Sequence, residues 1–211
     1  MASVITQELV DVLRSQFRIK WHGIHGVGHW SRVRLFGLRI ARETGARTDV
    51  VEWFAFLHDA AREDEGLDHG NGTRAVALAR DLRGPLLPID DSGFDLLSHA
   101  MTHHSDGFQE GDITVRTCWD ADRLDLPRVG IQPDPERLCT EPAQRREFIA
   151  WARMRAQARY AHRLISTSRQ SQGCVYRWPS IARIGDVLPV LAARKSGDCI
   201  RASRRSQPTH A

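Results

Sequence analysis

Apolar residues recur at three- and four-residue steps along most of the chain up to about residue 165, a spacing typical of amphipathic α-helices. The first such stripe comprises Ile5, Leu9, Val12, Leu13 and Phe17. No segment alternates between apolar and polar residues for the length of a strand. The pattern therefore predicts an all-α fold.

Glycine, proline and capping residues divide this pattern into successive helices. After the first stripe, helices are predicted at 29–44, 50–63, 73–82, 92–104, 115–126 and 140–165. Asp49 is the predicted cap of the third helix, and Asp91 or Ser92 that of the fifth. Thr140 is predicted to open one long basic helix. Such a series predicts a bundle with helix ends gathered at either side of a common core.

The composition is that of a globular protein, with 41% hydrophobic and 27% charged residues among 211. No apolar run reaches the roughly 20 residues needed to cross a bilayer, and the first residues lack the features of a signal peptide. The four cysteines lie apart without a CxxC pair, so neither a zinc knuckle nor a disulfide framework is indicated. We expect a cytoplasmic protein that does not enter a membrane.

Charge is divided unevenly along the chain. Residues 1–142 carry a net charge of −7, whereas residues 143–211 carry +11. We predict one domain over residues 1–165 and a poorly ordered basic tail over residues 166–211. The tail has two open interpretations, a solvated segment without a partner or an arm that binds an anionic partner such as nucleic acid.

Eight of the ten histidines lie between His22 and His104, close in sequence to many carboxylates. His58 shares the apolar stripe of Val51 and Phe54 and should point inward. Asp59 follows it directly, and a buried carboxylate needs a cation or several donors to stay charged. Imidazole with carboxylate is a ligand set for Mn, Fe, Ni, Co or Zn, with Mg possible at the carboxylates.

Several short motifs occur in an order that resembles the HD-domain superfamily of metal-dependent phosphohydrolases. These are GHW at 28–30, the HD pair at 58–59, HG followed by Arg74 and Ala75, THHSDG at 102–107, and CWDADRLDLPRVGI at 118–131. The resemblance covers roughly residues 20–142. It implies a helical bundle whose metal ligands come from separate helices.

Carried over by position, the resemblance implies His29, His58, Asp59 and Asp122 as ligands of one metal ion. It implies Asp59, Arg62 and His104 as catalytic residues. Arg62, Arg74 and His103 are the implied substrate-binding residues. A second ion is possible, with His104 as its best extra ligand. Asp120 could support the site or serve as a surface or capping carboxylate, and Asp125 could orient a ligand or bond a neighbouring helix.

The function implied by the resemblance is metal-assisted hydrolysis of a nucleotide-like or other small phosphorylated substrate. One alternative is a di-iron oxygenase on the same scaffold. Another is a non-catalytic module that binds its partner through the basic tail. Sequence patterns of other nucleotide and hydrolase sites, GxxxxGK[ST], GxGxxG after a strand and GxSxG, are absent.

Overall fold

A computed structural model of the protein describes residues 3–158. Within them the chain is all-α, without a β-strand, as the periodicity predicted. The helices are α1 (Gln7–Gln16), α2 (Val27–Thr44), α3 (Thr48–Leu57), α4 (Asn71–Leu82), α5 (Asp91–His103), α6 (Ile113–Arg123), α7 (Glu141–Gln144) and α8 (Arg146–Gln157). Two short 3-10 helices, Leu126–Val129 and Pro135–Arg137, lie between α6 and α7. The predicted domain boundary at residue 165 and the basic tail lie outside the described residues.

Helix α3 is the centre of the bundle, and it packs against α2, α5 and α6. Every residue from 50 to 60 is buried. A helix with neighbours on several sides must be apolar around most of its circumference, which explains the run VVEWFAFL. The polar residues His58 and Asp59 appear only where this helix ends.

Helix α2 crosses α3 and α6 at Gly37. A Cβ atom at this position would lie 2.5 Å from Val51 Cγ1 and 3.3 Å from Ala121 Cβ. The missing side chain therefore allows the three helices to approach closely in the middle of the core.

The segment between α1 and α2 is held by aromatic packing. Phe17, Trp21 and Trp30 pack edge to face with centroid separations of 5.1 to 5.7 Å, and Trp30 also meets Phe56 of α3. Because Trp30 directly follows His29, this packing fixes the start of α2 against the core.

Two predicted caps differ from those in the structure. Asp49 lies inside the first turn of α3 and pairs with Arg47, which itself occupies the capping position. Asp90 caps α5, because its side chain accepts a hydrogen bond from Gly93 N at 2.6 Å. Both errors amount to one or two residues in a run with several suitable carboxylates.

The long helix predicted from Thr140 is interrupted. Arg145 adopts an extended conformation (φ −64°, ψ 129°) between α7 and α8. Its guanidinium donates to Glu141 and to Glu43 of α2, both at 2.7 Å. The break turns α8 so that Phe148 is buried, whereas Met154, expected on the apolar face, is 62% exposed.

No helix among residues 3–158 combines the length and apolar character that crossing a bilayer requires. The two cysteines in this part of the chain, Cys118 and Cys139, are buried free thiols.

Candidate metal centre

Four helix ends meet at one side of the bundle. His29 lies in the first turn of α2, His58 ends α3, and Asp59 follows in the next turn. His104 ends α5, and Asp122 lies in the last turn of α6. His29, the His58–Asp59 pair, His104 and Asp122 therefore come from the ends of four helices.

The ligand atoms of His29, His58 and Asp59 lie close enough together to bind one ion. His29 Nε2 is 3.1 Å from His58 Nε2, and Asp59 Oδ2 is 3.6 Å from each. Asp122 Oδ1 lies 3.3 and 3.8 Å from the same two nitrogens. Two atoms that are each about 2.1 Å from one ion are about 3.0 Å apart at a right angle and about 3.4 Å at the tetrahedral angle. His29, His58 and Asp59 thus form a buried group that could hold a metal ion, and Asp122 lies beside its two histidines.

Backbone carbonyls orient two of the imidazole rings. His58 Nδ1 lies 3.0 Å from Phe54 O, and His104 Nδ1 lies 2.7 Å from Met101 O. A carbonyl only accepts, so each Nδ1 carries the proton and each Nε2 of the neutral ring presents a lone pair. Both Nε2 atoms face Asp59, with His104 Nε2 3.8 Å from Oδ1. Ring orientation of this kind is usual for metal-binding histidines.

Asp125 orients His29 in the same way. Its Oδ2 lies 2.7 Å from His29 Nδ1, and Arg32 donates to both of its oxygens at 2.7 and 2.9 Å. Burial raises the pKa of Asp125, but the hydrogen bonds and charges of His29 and then of Arg32 hold it below its usual value. Of the two roles open to Asp125, the structure supports that of holding a ligand.

The two oxygens of Asp59 have different surroundings. Oδ2, which faces the metal ligands, also lies 2.8 Å from His25 Nδ1. Oδ1 accepts hydrogen bonds from Asn71 Nδ2 at 2.8 Å and from Arg62 Nη1 at 3.3 Å. Sequence reasoning missed His25 and Asn71. His25 lies in a glycine-rich segment with no helical period, and Asn71 is uncharged, unlike the titratable residues that the sequence indicated.

The arginines predicted to bind substrate are engaged with the protein. Besides Asp59, Arg62 donates to the carbonyl oxygens of Asp64 and Gly66, at 3.1 and 2.5 Å. Arg74 donates to both oxygens of Asp68 at 2.6 Å. These contacts fix the loop that follows the HD pair, so the structure gives Arg62 and Arg74 positioning contacts.

Two other predicted residues point away from the ligand cluster. His103 pairs with Asp106 at 2.7 Å on a partly exposed surface. Asp120 accepts from Cys139 N, Thr140 N and Thr140 Oγ1 at 2.7 to 2.8 Å. Asp120 therefore anchors the segment before α7 to α6.

Burial and the neighbouring groups shift the pKa values of His29 and His58 in opposite directions. Burial lowers the pKa of His58 to about 4, so this ring is neutral at pH 7. At His29 burial and Arg128 lower the pKa, but hydrogen bonds with Asp122 and Asp125 raise it above its ordinary value.

The carboxylates of the cluster stay ionised despite burial. Burial raises the pKa of Asp59, yet His58, His25, His29 and His104 hold it well below its usual range. For Asp122 burial likewise raises the pKa, and contacts with His29 and His58 lower it further than burial raises it. The site therefore holds ionised carboxylates beside two imidazole rings, an environment that suits a cation.

Comparison with known proteins adds no relative. The chain matches no protein-family model, no curated protein and no solved structure. The resemblance to the HD-domain superfamily thus remains a prediction from motif order and spacing.

Proposed function

We propose that the protein is a divalent-metal-dependent phosphohydrolase of the HD type that acts on a small phosphorylated substrate. The observation that carries this proposal is the convergence of His29 and His58 Nε2 with the carboxylates of Asp59 and Asp122. Two neutral imidazoles and two carboxylates suit Mn, Fe, Co, Ni or Zn, and Mg to a lesser degree.

The chemistry that such an ion supplies is Lewis acidity toward a phosphoryl oxygen and a water that is nucleophilic at neutral pH. The protein's own groups provide position and proton exchange. Asp59 Oδ2 is held by His25, and Asn71 fixes the plane of the same carboxylate through Oδ1. His104 Nε2 faces this carboxylate and is placed to exchange a proton with a substrate or water there.

The surroundings of Asp59 support one metal ion over two. A second ion bridged through Oδ1 would have to displace the amide of Asn71 and the guanidinium of Arg62. Like charges repel, so Arg62 disfavours a second cation at this oxygen. This arrangement favours hydrolysis over the di-iron oxygenase alternative, which needs two ions.

The proposal is tested by metal content and by hydrolysis in the same preparations. We expect purified wild-type protein to hold about one transition-metal equivalent and to hydrolyse at least one member of a panel of phosphomonoesters, nucleotides and phosphodiesters. Asp59→Asn should lose most of the metal and the hydrolysis. Asp95→Asn, a matched change at an exposed carboxylate of α5, should retain both.

Two results would contradict the proposal. One is an Asp59→Asn variant with unchanged metal content and unchanged hydrolysis. The other is an iron-loaded protein that consumes dioxygen with an organic substrate and hydrolyses none of the panel, which would favour the oxygenase.

A further inference from the structure

The arginines around the metal centre differ in how many of their donors the protein uses. Arg32 is bidentate on Asp125, Arg74 donates from Nη2 to Asp68 and from Nε to Ala61 O, and Arg62 donates through all three of its nitrogens. Arg128 makes a single hydrogen bond within the described residues, from Nε to Ile24 O at 2.8 Å.

Arg128 is nevertheless built into the site. It lies in the 3-10 helix Leu126–Val129 that follows α6, and its side chain is only 7% exposed. Its Nε is 3.7 Å from Asp125 Oδ2, the oxygen that orients His29. Its Nη1 is buried and has no hydrogen-bond partner among the residues that the structure describes.

The guanidinium is also electrostatically coupled to the metal ligands. After burial, its charge is the strongest influence that lowers the pKa of His29, whereas on Asp122 contacts with His29 and His58 act more strongly than Arg128 does. In space, the guanidinium is linked to His29 through Asp125 Oδ2, which contacts both residues.

A buried cation with an unpartnered nitrogen is costly, because the N–H groups have lost water without gaining an acceptor. A guanidinium presents paired N–H groups whose geometry matches an oxyanion. The nearby carboxylates of Asp59, Asp122 and Asp125 would repel an anion, so a cation beside them is needed for an anionic group to enter. Of the four arginines, Arg128 uses the fewest of its nitrogens in hydrogen bonds with described residues, so it has the most N–H groups for binding an anionic group.

We propose that Arg128 binds the anionic, phosphate-like group of the substrate beside the metal centre. This assignment deepens the proposed function and rests on it, because it gives the substrate's oxyanion a protein contact in addition to the metal. Arg128 thereby takes the role that the sequence assigned to Arg62 and Arg74.

The test uses inorganic phosphate as the ligand and the full chain loaded with Mn²⁺. Binding is measured by titration calorimetry for wild type, Arg128→Gln and Arg128→Lys, with metal content determined on the same samples. We expect Arg128→Gln to weaken phosphate binding at least about tenfold, the usual effect of losing a charge-assisted hydrogen bond. Arg128→Lys keeps the charge without the paired donors and should fall between.

Arg116→Gln is the matched control. Arg116 also donates to a backbone carbonyl, that of Cys139, and also has a buried unpartnered nitrogen. It lies six residues before Asp122 on α6, which is about 9 Å along the helix axis. Phosphate affinity of this variant should stay within about twofold of wild type.

The outcomes separate this inference from the proposed function. Unchanged phosphate affinity in Arg128→Gln and Arg128→Lys at unchanged metal content overturns it, even if the protein hydrolyses phosphate esters. Absence of phosphate binding by the wild type overturns it as well. If phosphate binding depends on Arg128 but the protein hydrolyses no phosphate ester, the inference about Arg128 is supported and the proposed function fails. If Arg128→Gln does not fold, the phosphate affinity of Arg128→Lys decides: a reduced affinity supports the inference, and an unchanged affinity overturns it.

Discussion

At the scale of single residues, the contact between His29 and His58 governs the chemistry of the centre. Their Nε2 atoms are 3.1 Å apart, and both Nδ1 atoms face acceptors. Two lone pairs cannot face one another at this distance, so either a proton or a metal ion must lie between them. The raised pKa of His29 indicates that, without metal, the proton resides on its ring.

Metal binding should therefore release a proton. At about pH 6, below the ordinary histidine pKa of about 6.5, His29 is protonated in the metal-free protein, whereas burial keeps His58 neutral down to about pH 4. Because a metal ion binds only the unprotonated imidazole, affinity should rise about tenfold per pH unit below the pKa of His29. Calorimetry in buffers of different ionisation heat should give about one proton per ion. Release of no proton at this pH would contradict the placement of a proton on His29. The control is His99→Gln, a change at an exposed histidine, which should release as many protons as the wild type.

Asp125 is expected to set metal affinity through His29. Asp125→Asn replaces a carboxylate by an amide. The amide no longer fixes the tautomer of the His29 ring, and it no longer forms a charged pair with Arg32. Loss of such a supporting contact typically weakens metal binding 10- to 100-fold. The measurement is competition with a chromophoric chelator, and Asp95→Asn is the control. Equal affinities of the two variants would mean that Asp125 serves only to join helices.

How far the site follows from the sequence depends on the kind of residue. His29, His58, Asp59 and Asp122 were predicted because their motifs have a fixed order and helical context. Of the residues that hold them, Asp125 was considered for this role, whereas His25 and Asn71 were missed. His25 acts from an irregular loop, whose geometry no period describes.

Arginine roles were harder to predict because they depend on which partners remain after folding. Arg62 lies beside the HD pair in sequence, yet the loop carbonyls of Asp64 and Gly66 take up its donors. Arg128 lies 69 residues beyond Asp59 in sequence, and only the structure brings its charge to the ligands.

At the scale of helices, the position of the ligands depends on the close crossing at Gly37. Helix α2 carries His29, α3 leads into His58 and Asp59, and α6 carries Asp122. The sequence pattern predicted α2 and α6 from one apolar face each and α3 from its continuous apolar run, but it could not indicate which pairs approach most closely. It also could not find the break at Arg145, since the two carboxylates that hold this residue come from different helices.

Gly37→Ala should separate these helices. An added Cβ 2.5 Å from Val51 Cγ1 overpacks the core, and such changes cost about 1 to 3 kcal/mol, more than the helix propensity gained. We expect a lower melting temperature and weaker metal binding. Gly28→Ala in the same helix meets only Arg32 Nη1 at 3.5 Å and should be neutral or slightly stabilising. Equal melting temperatures of the two variants would contradict the assigned role of Gly37.

At the scale of the whole molecule, every residue assigned to the centre lies between positions 25 and 128. The acidic residues 1–142 contain all of its carboxylates, so part of their net charge of −7 is the complement of a bound cation. The overall pI of about 9.2 is no argument for nucleic-acid binding.

Removal of residues 166–211 should leave the metal centre intact. The shortened chain keeps all ligands and their supporting residues, so metal content, hydrolysis and phosphate affinity should match those of the full chain. Affinity for DNA or RNA at low salt is measured in parallel. Loss of the bound metal on truncation would contradict this expectation. Loss of nucleic-acid binding alone would support the interpretation of residues 166–211 as a separate binding arm.

The spread of the ligands along the chain has a consequence for how the protein opens. An ion held by His29, His58, Asp59 and Asp122 ties together segments up to 93 residues apart, as a covalent cross-link would. Local fraying of α2, α3 or α6 would then require release of a ligand, so the three helices should exchange their amide hydrogens as one cooperative unit when metal is bound. Without the ion, the first turn of α2 and the last turn of α6 become free to open separately, and the same fold acquires two independently exchanging ends.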